Sequence, residues 1–293
     1  SIFANLSIMS FVLRQINLQF SKNGEVLLPL EGLKCTALIS NPGGANAFAT
    51  LQLRVYGMTL NEMNQFSSGG ANLIINENID ITVLAGDVGG TIGQIFFGGI
   101  FSSYIDFSAV PDVAFVCSAQ SGIFQKASPS AANSWKGSQN VEDIVRSLTE
   151  SIGMGFSNNG AHAIVQNQYA YGSIFDQIKR VCSAASIPFS IEDNTVSIWA
   201  NNGTKNDTVI ALNQESGLVG YPSYYQSGLI VKSMYNPDIS IGCTINLTSI
   251  IPKANGKFPI LGSSHELSTL TPDGAWFTTA QLAPTGTFNV PNN

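Results

Sequence analysis

Charge is what this sequence has least of. Asp, Glu, Lys and Arg together make up 11% of its 293 residues, against about a quarter in an ordinary soluble domain. The thirteen Lys and Arg are spread thinly among nineteen acids for a net charge of −6. Without a clustered basic footprint, specific nucleic-acid binding is excluded. Histidine is nearly absent, with His162 and His265 the two present. Cysteine is scarce too: Cys35, Cys117, Cys182 and Cys243 stand far apart with no CxxC or Cys/His spacing. They read as buried free thiols of a reducing compartment rather than metal ligands or disulfides. The opening residues, SIFANLSIMSFVLRQ, lack a basic n-region and a long apolar run, so no secretory signal is expected there. Val88 to Ile105 carries no charge, but its five glycines and its Thr, Gln and Ser residues are too polar for a spanning helix. It is expected to form a pair of strands with a tight turn, and no membrane insertion is expected.

What fills the place of charge is Ser, Asn, Thr, Gln and Gly, since apolar content is 44%. Uncharged polar groups cost less to desolvate than ions, so such a surface suits permanent burial against other subunits. A secreted β protein with a Ser/Asn-rich surface fits the composition equally.

The length predicts two or three domains. Turn dipeptides space out short apolar or β-branched segments through most of the chain. Ser10–Phe20 and Val26–Leu30 flank Asn23-Gly24 as a hairpin. Strands are expected over Leu33–Ile39, Phe48–Tyr56 with Leu51, Leu53 and Val55 inward, Leu73–Ile75, Asp80–Ala85, Gln94–Phe101 and Pro111–Ser118. Thr59 stands three residues before Glu62, a capping-box spacing that starts one short helix through Phe66 with Leu60 and Met63 as its apolar pair. So many short strands in about 110 residues suggest a closed or nearly closed barrel.

Texture changes over Gln120–Gln139, which is Ser/Ala-rich and without periodicity, and a boundary is placed there. Two amphipathic helices follow. Asn140 caps one, with Val141, Ile144, Val145, Leu148 and Ile152 on a single face and Glu142 and Asp143 in the first turn. Ser173 caps the other, with Ile174, Ile178, Val181 and Cys182 as its stripe. Pro188–Ala200 reads as a hairpin around Glu192-Asp193-Asn194. From Gly217 short β segments resume between Asn236-Pro237, Asn255-Gly256 and Asp273-Gly274, and Ala283 onward reads as a poorly ordered tail. The fold class is therefore mainly β with a small α+β insertion: residues 1–119 a first β domain, 120–216 the insertion, and 217–293 a second β domain.

No catalytic constellation emerges. His265 and Glu266 are adjacent on a strand and face opposite sides, so His265 is expected to be a strand residue with its tip at a surface. His162 has no partner in sequence, and Cys182 has no supporting spacing to either histidine. Gly86–Gly93 (GDVGGTIG) lacks the Lys of a phosphate loop and precedes a strand, so it reads as a turn. Asp106 and Asp112 give no carboxylate pair from spacing, Glu142 and Asp143 complement a helix dipole, and Glu192 and Asp193 make a turn. Trp135, Trp199 and Trp276 read as core anchors. No catalytic, metal or cofactor residue is assigned.

Three stretches carry a family resemblance: Asp80–Ile100, with Ala85-Gly86, Ile95-Phe96 and Gly98–Ile100; Val141–Phe156 with Gly172–Ser190; and Leu218–Phe277, with Gly220-Tyr221-Pro222, Gly228–Val231, Asn236-Pro237, Gly242, Asn255-Gly256, His265–Leu267 and Gly274–Thr279. In this order they resemble the baseplate hub proteins of contractile-tailed bacteriophages and related injection machines. The resemblance implies two tail-tube-like antiparallel β-barrels in one chain and a homotrimeric ring of six similar barrels. That ring would join a central spike to the tail tube or its initiator among other baseplate proteins, with DNA passing through non-specifically. It implies a structural, non-enzymatic virion component assembled in the host cytoplasm. Two other readings stay open: a cell-wall hydrolase using His265 with a carboxylate, and a host-glycan-binding β protein using Tyr221, Tyr224 and Tyr225.

Overall fold

The computed structural model describes residues 13–43, 48–67, 78–128, 130–201, 203–225 and 228–283. The strand expected at Leu73–Ile75 and the tail expected beyond Ala283 lie outside these residues.

The first half is built from β1 (Arg14–Lys22), β2 (Glu25–Leu30), β3 (Cys35–Asn41), β4 (Thr50–Tyr56), the helix α1 (Leu60–Phe66), β5 (Ile79–Asp87), β6 (Gly93–Asp106) and β7 (Ala114–Gln120). Period-two alternation drives each strand: Ile16, Leu18 and Phe20 of β1 and Leu51, Leu53 and Val55 of β4 are buried, and of their strand neighbours only Ser21 is buried as well. Asn23 and Gly24, at φ 53° and 84°, make the left-handed turn that joins β1 to β2. The capping box at the start of α1 is present, with Thr59 and Glu62 each satisfying the other's backbone. The apolar pair of that helix is Met63 and Phe66, not Leu60 and Met63. Leu60 sits in the first turn and points to solvent, and Phe66 stacks on Phe20 at 4.5 Å. Val88 to Ile105 is a turn followed by most of one 14-residue strand, β6, rather than a strand pair.

A small unit follows: α2 (Ile123–Ala127), β8 (Asn133–Asn140), α3 (Val141–Glu150), β9 (Gly155–Asn159), β10 (Ile164–Ala170), α4 (Ile174–Ala184), β11 (Phe189–Glu192) and β12 (Thr195–Trp199). Both amphipathic helices lie where their periodicity puts them, with Val141, Ile144, Val145 and Leu148 facing Ile174, Ile178, Val181 and Cys182 in one core, except that Ile152 falls in the turn after α3 and packs half-buried on that core. Ser173 caps α4 in a box with Asp176. Asn140 occupies the N-cap of α3, but its side chain donates to Asp143 Oδ2 at 3.1 Å instead of accepting from the helix. The hairpin turn falls on Asp193 and Asn194, at φ 49° and 58°. The stretch without periodicity holds α2 and β8; β8 pairs with β10, and β9 lies parallel to β12.

The closing half contains β13 (Val209–Leu212), β14 (Leu218–Tyr225), β15 (Gly228–Met234), β16 (Thr244–Leu247), a 3-10 turn at Pro252–Ala254, β17 (Gly256–Ser268) and β18 (Trp276–Leu282). Its core gathers Leu212, Leu229, Val231, Ile245, Phe258 and Leu282. β13 and β16 pair in parallel, so this half is not wholly antiparallel.

Thirteen strands form one sheet along the path β14-β15-β18-β17-β3-β4-β7-β6-β5-β1-β2, with β16 and β13 branching from β17. Among the described residues no pairing closes either half into its own barrel. The reason is β17: its first four residues pair with β16, and Ser263–Ser268 pair with β3 of the first half. Leu267 and Trp276 therefore belong to the core of the first half. Thr269 ties the seam, accepting from the amide of Cys35 at 3.2 Å and donating to the carbonyl of Leu33 at 2.8 Å. Arg14 reaches across to the carbonyl of Gly274 at 3.0 Å and lies over the Trp276 ring.

Candidate functional site

Joining the halves through β17 and β3 has a direct consequence for the solvent side of the sheet. In a pleated sheet, directly opposed residues share a face, so the registers define rows. One row runs Lys232, Thr279, Ser264, Ser40, Thr50, Gln120 across β15, β18, β17, β3, β4 and β7. A second runs Phe277, Glu266, Leu38, Gln52, Ser118, Ser102 from β18 to β6. A third continues Thr36, Arg54, Val116, Tyr104. All these side chains are exposed or half-buried. The result is one polar face, rich in Ser, Thr and Gln, that crosses seven strands from both halves.

Its charges are few. Lys232 lies flat over Phe277, 4.1 Å from the ring centre. Glu266 stands exposed. Arg54 donates to Asp106 Oδ2 at 2.7 Å, and Asp106 is held at about 2 by hydrogen bonds from Ser108, with Arg54 adding to them. Asp80, on β5 at the edge of this region, sits half-buried opposite Ser21 and Gly99, and desolvation pushes its carboxyl up to about 6.

Elsewhere the structure separates the groups that chemistry would need together. His265 does not present its tip to the surface. It is 4% exposed, its Nδ1 is 2.9 Å from Thr278 Oγ1, and burial lowers its pKa to about 4. The correction has a plain cause: the inward face of β17 is covered by the turn after β15, where Tyr235 packs edge-on against the imidazole at 5.7 Å. Glu266 points the other way, as adjacent strand residues must. His162 is exposed on the loop between β9 and β10. All four cysteines are buried free thiols, and burial pushes Cys117 and Cys182 up to about 12, far from a nucleophilic state. Among the described residues no three His, Cys, Asp or Glu side chains converge on a common point. None of the helices they form is long and apolar enough to cross a membrane.

Val88 to Ile92 is the turn between β5 and β6, and a Cβ at Gly86, at the end of β5, would meet the Thr91 carbonyl oxygen at 2.3 Å. Glu142 pairs with Arg146 one helical turn on, and Asp112 lies exposed on the loop before β7. Trp199 and Trp276 are buried, while Trp135 is half-buried against the core of the small unit. Tyr221 and Tyr224 are the most exposed aromatic side chains of β14, the end strand of the sheet path.

One polar feature was not foreseen. A cleft of about 170 Å³ opens where the two halves and the small unit meet, with Asn41, Gln94, Phe97, Glu192, Lys205 and His265 among its walls. Glu192 is not merely a turn residue: it closes β11 and takes Lys205 Nζ on Oε2 at 2.5 Å. Gln94 donates to Asp193 Oδ1 at 3.0 Å across the same gap. These residues are far apart in sequence, so no local spacing announces the cleft. The polar rows, in contrast, were readable strand by strand in segments such as LKCTALI and FATLQLRVY; only the pairing of β17 with β3 was hidden.

A family model described as baseplate hub gp41 matches residues 49–279. No curated protein matches the sequence. Among solved structures, a tail protein of Neisseria meningitidis MC58 superposes with a TM-score of 0.64 at 8% identity, covering 92% of this chain and 97% of that one. The 43 kDa tail protein of prophage MuSo2 from Shewanella oneidensis gives 0.61 at 9% identity, covering 92% and 97%. The c3393 protein of E. coli, described as a type VI secretion component with structural similarity to the T4 tail proteins gp27 and gp5, gives 0.60 at 13% identity, covering 92% and 78%. At these identities the likeness is one of fold.

Proposed function

The chain belongs to the baseplate hub gp41 family, and on that premise we propose that three copies close into a ring at the tip of a phage tail. Each copy contributes two tube-like barrel modules, so the ring presents six similar modules, joins the central spike to the tail tube or its initiator, and leaves a channel for DNA. The other proteins of the baseplate surround it, and the chain is a virion component assembled in the host cytoplasm. Four buried free thiols suit that reducing compartment.

The observation that carries this reading is the polar face that crosses seven strands of both halves with so few charges. A wall that DNA must slide past should offer no cation cluster to hold phosphates, and a chain of net charge −6 repels rather than binds the polyanion. Among the described residues the sheet path also ends in two edge strands, β2 and β14, each paired on one side. Such edges are stable in an assembly that covers them, and a ring built from two different surfaces per copy does so without leaving a free end. The role asks for shape and contact, and the convergence of functional side chains needed for catalysis plays no part in it.

Sedimentation equilibrium tests the proposal. The expected species contains three 31.1 kDa chains and persists on dilution, alone or with the spike protein. A stable monomer under both conditions overturns the ring.

A further inference from the structure

The cleft between the two halves and the small unit is short of hydrogen-bond donors. Asn41 is 9% exposed, lines the cleft, and its Oδ1 has no partner among the described residues. Glu192 accepts from Lys205 on one carboxylate oxygen, while the other, Oε1, is buried and without a partner among the described residues. Buried acceptors as a rule find a donor, and a charged one most of all. The titratable groups facing the space are Glu192, Asp193, Lys205 and His265. With the imidazole neutral, the lining carries two negative charges against one positive, so the missing donor should be a cation.

A metal ion fits poorly, because no three ligating side chains converge among the described residues. An ammonium would place a compact point charge on one acceptor. A guanidinium is planar and offers five donors in a fork, so it can serve two acceptors on different elements at once. Ile95 and Phe97, both half-buried in the wall, supply apolar surface for the methylene stem of a side chain.

We propose that this cleft is a socket for an arginine side chain presented by another protein chain, its guanidinium donating to Asn41 Oδ1 and Glu192 Oε1. The socket sits where three separately cored bodies meet, so an occupant would fix their relative positions. The inference rests on the cleft and not on the ring: the socket can be tested on the chain in any oligomeric state, and loss of the ring would leave it standing.

The test is a methyl-detected NMR titration of the full chain, following the Ile95 δ1 methyl against N-acetyl-arginine methylamide. Saturable shifts of Ile95 are expected, with the uncharged citrulline analogue and the lysine analogue each weaker by about tenfold or more. Glu192→Gln should weaken binding by about tenfold. Should that variant fail to fold, Asn41→Ala leaves the Lys205–Glu192 pair intact and should weaken binding severalfold. Absence of a saturable shift, equal binding of citrulline or lysine, or saturation by calcium chloride alone overturns the proposal.

Discussion

The two halves of the sheet use the same alternation and finish it differently. The first wraps β1 to β7 and α1 around a large core in which Phe20, Phe66 and Phe115 are fully buried and meet ring to ring. The closing half has a smaller core and adds a parallel strand, β13, to reach it. It also lends Leu267 and Trp276 to its neighbour. The first core is thus completed by two residues of the closing half, whereas the closing core is built without any residue of the first. That is the arrangement expected of a module whose outer face has to be continuous with the next one.

Emptying each core in turn should have the largest effect. Phe20→Ala and Phe258→Ala should each cost about 3–5 kcal/mol. Because β17 belongs to both halves, urea unfolding of either variant should still show one shared transition for the two halves. Two separated transitions would mean that the seam does not couple them.

Acid acts on the halves with opposite sign. His265, with a folded pKa of about 4 below its ordinary value near 6.5, leaves the unfolded chain binding more protons. Stability is therefore lost as pH falls through 6.5 towards 4, by up to about 3 kcal/mol, and His265→Gln should remove that slope. Asp80, with a folded pKa of about 6, is raised instead. Its contribution is fully present below about 4 and lost as pH rises through 6. Asp80→Asn should therefore stabilise the protein at pH 7 by about 1–2 kcal/mol, a figure reduced for its partial exposure, and change nothing near pH 3. Thermal melts across pH 3–8 for both variants would show the two effects separately.

The smallest effects lie in the small unit. Ser173→Ala removes a capping box and should cost about 1 kcal/mol. Asn140→Ala should cost only a few tenths, because that side chain accepts nothing from its helix. Equal losses for the two in denaturant titrations would contradict the assignment of the caps.

Alternation and turn chemistry made most of the first half readable: β4 buries the residues its pattern selects, and the Asn23-Gly24 turn lies where its residues place it. The same reasoning missed β8, β9 and β10. Segments such as NSWKGSQN and GFSNN are polar on both faces, and their partners are supplied by tertiary contact rather than by a buried stripe. His265 was misplaced for a related reason. A strand pattern tells which side a residue faces, but not whether a turn such as the one carrying Tyr235 covers that side. The seam and the cleft depend on residues more than a hundred positions apart, and no local period encodes them.

Whether the ring lines a DNA channel turns on the orientation of one face. Electron cryo-microscopy of the isolated tail tip, at a resolution that separates strands, tests it most directly. Three copies are expected around the axis, with the rows of Leu38, Gln52 and Ser118 turned towards the channel. A tip in which those rows face outward, or in which the copies are not three, would contradict it.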